Sequence, residues 1–153
     1  MSLAVAEQEV AAPRKKRAQI KLDYATAGDA EDMVRLMKDA GFDIMPGLDW
    51  TDVYPFWLVA KIDERIVGCI QIVPTKPYGY LEFLSAESGL DHQIRARVLK
   101  KLAEQALAYL QLYGTQVAAF MVPFELKGYK RILRRKGAVT VQSGNMLALR
   151  TGA

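Results

Sequence analysis

The sequence has one cysteine, Cys69, and one histidine, His92, in 153 residues. A lone cysteine excludes an internal disulfide framework and suits a reducing compartment. No stretch approaches the roughly 18–20 consecutive apolar residues that a membrane span needs, so no membrane association is expected. The first residues also lack the charged-then-apolar order of a secretory signal. The expected location is therefore the cytoplasm, and no metal site is expected.

About half of the residues are apolar (51%) and 25% are charged, the balance of an ordinary soluble globule. The length suits one domain with a real core. The net charge of +4 is unevenly placed. Arg14, Lys15, Lys16 and Arg17 form one basic run. Lys127, Lys130, Arg131, Arg134, Arg135 and Lys136 form a second group. Either can meet phosphate, on a nucleic acid or on a cofactor, and either can equally be a solvated surface. Residues 1–18 show no periodicity and read as a disordered basic extension. Residues 19–153 read as a single domain.

Taken in order, Gln19–Ala25 alternates with Ile20, Leu22 and Tyr24 on one face, a first strand. Thr26 or Asp29 caps the helix that follows, which turns Met33, Val34, Leu36, Met37 and Ala40 inward and stops at Gly41. A loop with one short helical turn near Thr51–Tyr54 comes next. Phe56–Ile62 and Arg65–Val73 are strands joined tightly at Asp63-Glu64. Gly68 inside the second strand marks a bulge or a close backbone approach. Cys69 beside it reads as packing rather than as a nucleophile, since no partner motif supports one. Tyr80–Ala86 is a strand, and a long helix from Ile94 carries Val98, Leu99, Leu102, Ala103, Ala106, Leu107 and Leu110 on one face. Thr115–Val122 is a further strand and Glu125–Lys136 a last helix. Val139–Gln142 and Met146–Arg150 form a closing hairpin.

A buried strand that delivers the chain into a long helix makes an anion pocket, because first-turn N–H groups are unpaired and the helix dipole favours negative charge there. The order of elements and several phrases resemble the GNAT superfamily of acyl-CoA-dependent N-acyltransferases. These are Ala25-Thr26-x-x-Asp29-Ala30, Phe56-Trp57-Leu58-Val59-Ala60, Asp63-Glu64-Arg65-Ile66-Val67-Gly68 and Arg134-Arg135-Lys136-Gly137, spread over residues 19–150. The resemblance implies an α/β (α+β) fold. Its sheet is mixed, mostly antiparallel, of about seven strands, flanked by three to four helices.

It also implies a site. The backbone of Leu84, Ser85 and Ala86 would pair with the amides of acetyl-CoA, and the helix start at Ile94, Arg95, Ala96 and Arg97 would hold its pyrophosphate. The family's loop pattern, Arg/Gln-x-x-Gly-x-Gly/Ala, falls on Asp91, Ile94 and Ala96, of which Ala96 matches. A shift of two gives Gln93, Ala96 and Val98. Asp91 would repel a pyrophosphate, and Arg95 and Arg97 could offset it. Many relatives take a proton-donating tyrosine at the position of Leu133, and Tyr129 lies one turn earlier on the same face. The resemblance thus makes Tyr129 a candidate catalytic acid, while read from the residues alone it is a core-facing tyrosine with its hydroxyl at the rim. Glu82, a charge in the middle of an apolar strand, needs a cleft or a partner. It is either a catalytic base or a member of a structural ion pair. His92 reads as a capping or surface residue.

Three functions follow as alternatives. One is N-acyl transfer, with acetyl-CoA as donor and an amine as acceptor. The second is a fold that has lost turnover and serves as a binding or regulatory module. The third is a nucleic-acid-associated protein using Arg14–Arg17 and the 127–136 helix. Homodimerisation is left open.

Overall fold

The computed structural model describes residues 17–44, 56–122 and 127–139. The expected turn at Thr51–Tyr54 and the closing hairpin lie outside these residues, apart from Val139, which is in no strand. So does the basic extension, apart from Arg17 and Ala18.

The elements run β1 (Lys21–Tyr24), a 3₁₀ turn (Ala27–Asp29), α1 (Ala30–Asp39), β2 (Trp57–Ile62), β3 (Arg65–Val73), β4 (Tyr78–Ala86), α2 (His92–Tyr113), β5 (Val117–Phe120) and α3 (Lys127–Arg135). Among the described residues the sheet has five strands, in sequence order, rather than the seven expected of the whole chain. The first three pairings are antiparallel and β4–β5 is parallel. The parallel pairing requires a crossover, which α2 supplies.

Local chemistry explains most boundaries. The Asp29 carboxylate accepts the Thr26 N–H at 2.8 Å, which closes the turn into α1. Gly41, at φ 87°, ends that helix in the left-handed conformation that glycine adopts freely. Asp63 and Glu64 both have positive φ (49° and 63°), the geometry of a two-residue hairpin whose twist matches the strands.

The sheet is covered on both faces. Trp57, Val59, Ile66 and Cys69 point toward α1, where they pack with Met33, Leu36 and Met37. Leu58, Ala60, Val67, Ile70, Ile72, Leu81, Leu84 and Ala86 point toward α2 and meet Val98, Leu102, Ala106 and Leu110. Those four α2 residues recur every fourth position, a single buried stripe.

Two glycines set how closely α2 can sit. A Cβ on Gly68 would fall 2.6 Å from Val98 Cγ1 and 3.0 Å from Leu102 Cδ1. A Cβ on Gly79 would fall 2.8 Å from Leu110 Cδ2. The close approach read from Gly68 is therefore correct, and the helix is its cause. A bulge accompanies it: Ala60 faces Gly68 while Lys61 faces Ile66, so Val67 is the extra residue on β3.

Gly68→Ala should destabilise the protein by about 1–3 kcal/mol, the range for overpacking a tight contact. Gly89→Ala, where a Cβ would meet nothing within 4 Å, should be close to neutral. Urea unfolding of the two variants checks this.

Candidate functional site

Strands β4 and β5 run together only from Tyr78↔Val117 to Leu81↔Phe120. A last bond joins Met121 N to Leu81 O at 3.3 Å. From Glu82 to Ala86, β4 keeps its pairing with β3 but has no strand on its other side among the described residues.

The departure coincides with a bulge in β4. Cys69 faces Ser85 and Gln71 faces Glu82, so one β3 residue is matched against two on β4. Phe83 takes up the extra length at φ 53°, a conformation that costs a non-glycine residue of order 1 kcal/mol or more. Packing holds it there. The Phe83 ring stacks on Trp57, with centroids 5.9 Å apart and planes 17° apart, and meets Phe42 edge-on at 5.2 Å. Its carbonyl accepts the Ser85 hydroxyl at 2.9 Å.

Beyond the bulge, Glu87 N donates to Val67 O at 2.9 Å. Ser85 O also lies against β3, 3.1 Å from where a Gly68 Cβ would be. By the two-residue alternation of a strand, Leu84 and Ala86 turn their backbone groups to the open edge. Of the predicted trio Leu84, Ser85 and Ala86, the first and last therefore present N–H and C=O there. An extended amide-bearing chain can add to such an edge as a strand does.

The junction between β4 and α2 is clamped to its surroundings. Glu87 pairs with Arg65 at 2.6 Å and with Arg35 at 3.2 Å. The Asp39 carboxylate accepts both the Ser88 N–H (2.9 Å) and its hydroxyl (3.0 Å). Those bonds hold Asp39 below the usual carboxylate range.

At the start of α2, Asp91 is the N-cap. Its side chain accepts from Gln93 N at 3.0 Å and Ile94 N at 3.4 Å, and Arg95 N donates to Asp91 O at 2.8 Å. Two of the first-turn donors that would greet an anion, Gln93 N and Ile94 N, are thus engaged by this one side chain. Arg95 has a buried Nε without a partner among the described residues, and its charge acts on Asp39. Arg97 donates to Ala18 O at 3.2 Å and so reaches toward the start of β1, away from the open edge of β4. Ala96 is exposed and Ile94 half-buried against the α2-side core. His92 is exposed at the first helical position.

Glu82 and Tyr129 are not brought to one face. Leu81 points to α2, so Glu82 points to the α1 side, opposite Gln71. It shares that face with Tyr78 and Tyr80, which are 49% and 38% exposed. Glu82 is half-buried, makes no hydrogen bond or ion pair among the described residues, and is shifted above the ordinary carboxylate range by desolvation. Tyr129 packs with the α2-side cluster, its ring edge-on to Phe120 at 6.4 Å. Burial raises its hydroxyl above the ordinary tyrosine value. Cys69 is fully buried and its thiol is pushed up to about 12, as an inert packing residue requires.

Sequence reasoning missed the Phe83 bulge, and nothing in the residue types marks it. It also missed Asp91 as the cap, although an aspartate directly before a helix is a strong capping signal. Among the described residues no group of three or more His, Cys, Asp or Glu is placed to hold a metal. None of the described helices is long and apolar enough to cross a membrane.

No protein-family model matches the chain, and no curated protein sequence does. Solved structures match. A transcriptional regulator from Bacillus halodurans superimposes with a TM-score of 0.68 at 16% identity, covering 86% of this chain and 100% of that one. Ard1 from Thermoplasma volcanium gives 0.66 at 13% identity, over 80% and 84% of the two chains. An aminoglycoside N-acetyltransferase in complex with CoA gives 0.64 at 14% identity, over 92% and 99%. With its β4–β5 splay, its bulged fourth strand and this likeness to solved acetyltransferases, the chain has the GNAT fold.

Proposed function

We propose that the protein transfers an acyl group, with acetyl-CoA as donor, to an amine. The observation that carries this reading is the open edge of β4 at Leu84 and Ala86, set where the strand leaves β5 and just before α2. The CoA complex of the aminoglycoside N-acetyltransferase, which shares the fold, supports it. Leu84 and Ala86 would bond the amides of the pantetheine arm, with Ser85 keeping the bulge in place through Phe83. Arg95 and the Ile94–Ala96 turn would face the pyrophosphate, and Arg97 would add only long-range charge because its guanidinium is bound to Ala18.

The thioester supplies an activated carbonyl carbon. The amine nitrogen bonds to that carbon, the C–S bond breaks, and the thiolate leaves. One proton must leave the nitrogen and one must reach the sulfur. Glu82, raised by desolvation and without a partner among the described residues, is the proposed base, directly or through water. The amine would approach over the face that carries Tyr78, Tyr80 and Glu82. Tyr129 has the smaller part. Its hydroxyl is a weaker acid than usual, and a thiolate whose acid form has a pKa of about 8.5, by analogy with cysteine, takes a proton readily from water.

A second reading has its own observation. Asp91 places a negative charge and a ready-made cap where a pyrophosphate would sit. That favours a GNAT fold that has lost turnover. The two readings separate by calorimetry with acetyl-CoA and with free CoA, which should show saturable binding. No heat and no thermal shift at millimolar ligand would support the second.

Asp91→Asn keeps a good N-cap and removes the charge. It should tighten CoA binding by about 3- to 10-fold, as expected for removing one like charge beside a phosphate at a helix start. Unchanged affinity would place the pyrophosphate elsewhere.

Glu82→Gln should lower turnover by about 10²–10⁴-fold, the range for losing a general base. Its stability effect should run the other way. A carboxyl raised in the folded state stabilises below its unfolded pKa, and that contribution is lost as pH rises through the folded value. The variant should therefore match the parent near pH 4. At pH 7 it should be equally or more stable, within about 1 kcal/mol because the group is half exposed. Thermal melts at the two pH values check this, and a clear loss at pH 7 would make Glu82 a structural ion-pair member.

A further inference from the structure

Helix α3 reads KGYKRILRR and has no acidic residue. At 3.6 residues per turn, Lys127, Lys130, Arg131, Arg134 and Arg135 fall on one face, and among the described residues these five line a shallow groove. The opposite face is used by the protein: Leu133 is buried and Tyr129 packs on Phe120. Lys136, just past the helix, reaches Glu104 of α2 at 3.8 Å. Lys130 and Arg134 also have contacts within the protein. Lys127, Arg131 and Arg135 are exposed and stand at i, i+4 and i+8.

Like charges at that spacing repel by a few tenths of a kcal/mol per pair and disfavour the helix. A stripe of this kind is offset by an anionic partner, and its geometry says which. Cations four residues apart are about 6 Å apart along the axis. Phosphates on each strand of duplex DNA follow one another every 3.4 Å of rise along the duplex axis. Laid parallel to the duplex axis, the stripe would supply one cation for about every second phosphate of one strand over about 12 Å. A membrane-surface helix would flank its cations with large apolar residues. Here Tyr129 and Leu133 are turned into the core, and Ile132 at 41% exposure is the one large apolar side chain showing on the helix. A single-strand site would offer aromatic rings for stacking, and the only aromatic residue of α3 is the inward Tyr129.

We propose that the exposed face of α3 binds the sugar-phosphate backbone of duplex nucleic acid, without reading its sequence. Lys127, Arg131 and Arg135 have no part in the proposed acyl transfer.

The test uses the full chain and a fluorescein-labelled 20-base-pair DNA duplex, followed by anisotropy from 50 to 200 mM salt. Binding should weaken steeply with salt. The triple variant Lys127→Gln, Arg131→Gln, Arg135→Gln should lose at least about 10-fold in affinity at 50 mM salt, and its log–log salt slope should shrink by about 2–3. A charge-matched control, Lys38→Gln, Lys100→Gln, Lys101→Gln, should lose little. Should the triple variant fail to fold, Arg131→Gln alone should reduce the slope by about 1. Four results would overturn the proposal. These are no duplex binding at 50 mM salt, equal losses in the stripe and control variants, displacement of the duplex by millimolar CoA, or binding to phosphatidylserine vesicles with none to the duplex.

Discussion

The seat of α2 on the sheet is the contact on which the rest of the structure depends. The helix lies close enough that β3 and β4 carry hydrogen instead of a side chain at Gly68 and Gly79. It spans 22 residues and carries the chain from the end of β4 back to the start of a parallel β5. The bulge at Val67 adjoins this seat at Gly68, and the one at Phe83 lies on β4.

From that seat follows the chemistry of the site. β5 returns alongside only the first half of β4, and Phe83, wedged between Trp57 and Phe42, turns the second half away. The strain of a left-handed phenylalanine is offset by aromatic packing on the α1 side and by the Ser85 hydroxyl. What results is a strand edge with open backbone groups, beside a helix start where Asp91 already occupies the Gln93 and Ile94 donors. The edge suits an acyl-CoA arm and the aspartate opposes its phosphates. Their balance is the central question for function, and the charges of Arg95 and of Asp39 bear on it from either side.

The fold was legible in the sequence to a large extent because its signals are periodic. The α1 residues Met33, Leu36 and Met37, the Asp63-Glu64 turn and the four-residue stripe on α2 all report burial through spacing. Strand ends were also close: Arg65–Val73 is as read, and Phe56–Ile62 begins one residue later. The site was less legible because its geometry comes from tertiary contacts. Nothing in Tyr80–Ala86 says that Phe83 takes a positive φ, since the reason lies in Trp57 and Phe42. Glu82 and Tyr129 stand on opposite sides of the sheet through strand register and the packing of α3 on Phe120, neither of which spacing alone reveals.

The most direct measurement is a crystal structure of the protein soaked or grown with CoA. The account predicts electron density for the pantetheine arm running along β4, with its amides bonded to the backbone of Leu84 and Ala86, and with the Asp91 side chain moved off Gln93 N to admit the pyrophosphate. Density for CoA elsewhere on the molecule, or none at saturating ligand with the Asp91 cap intact, would contradict it.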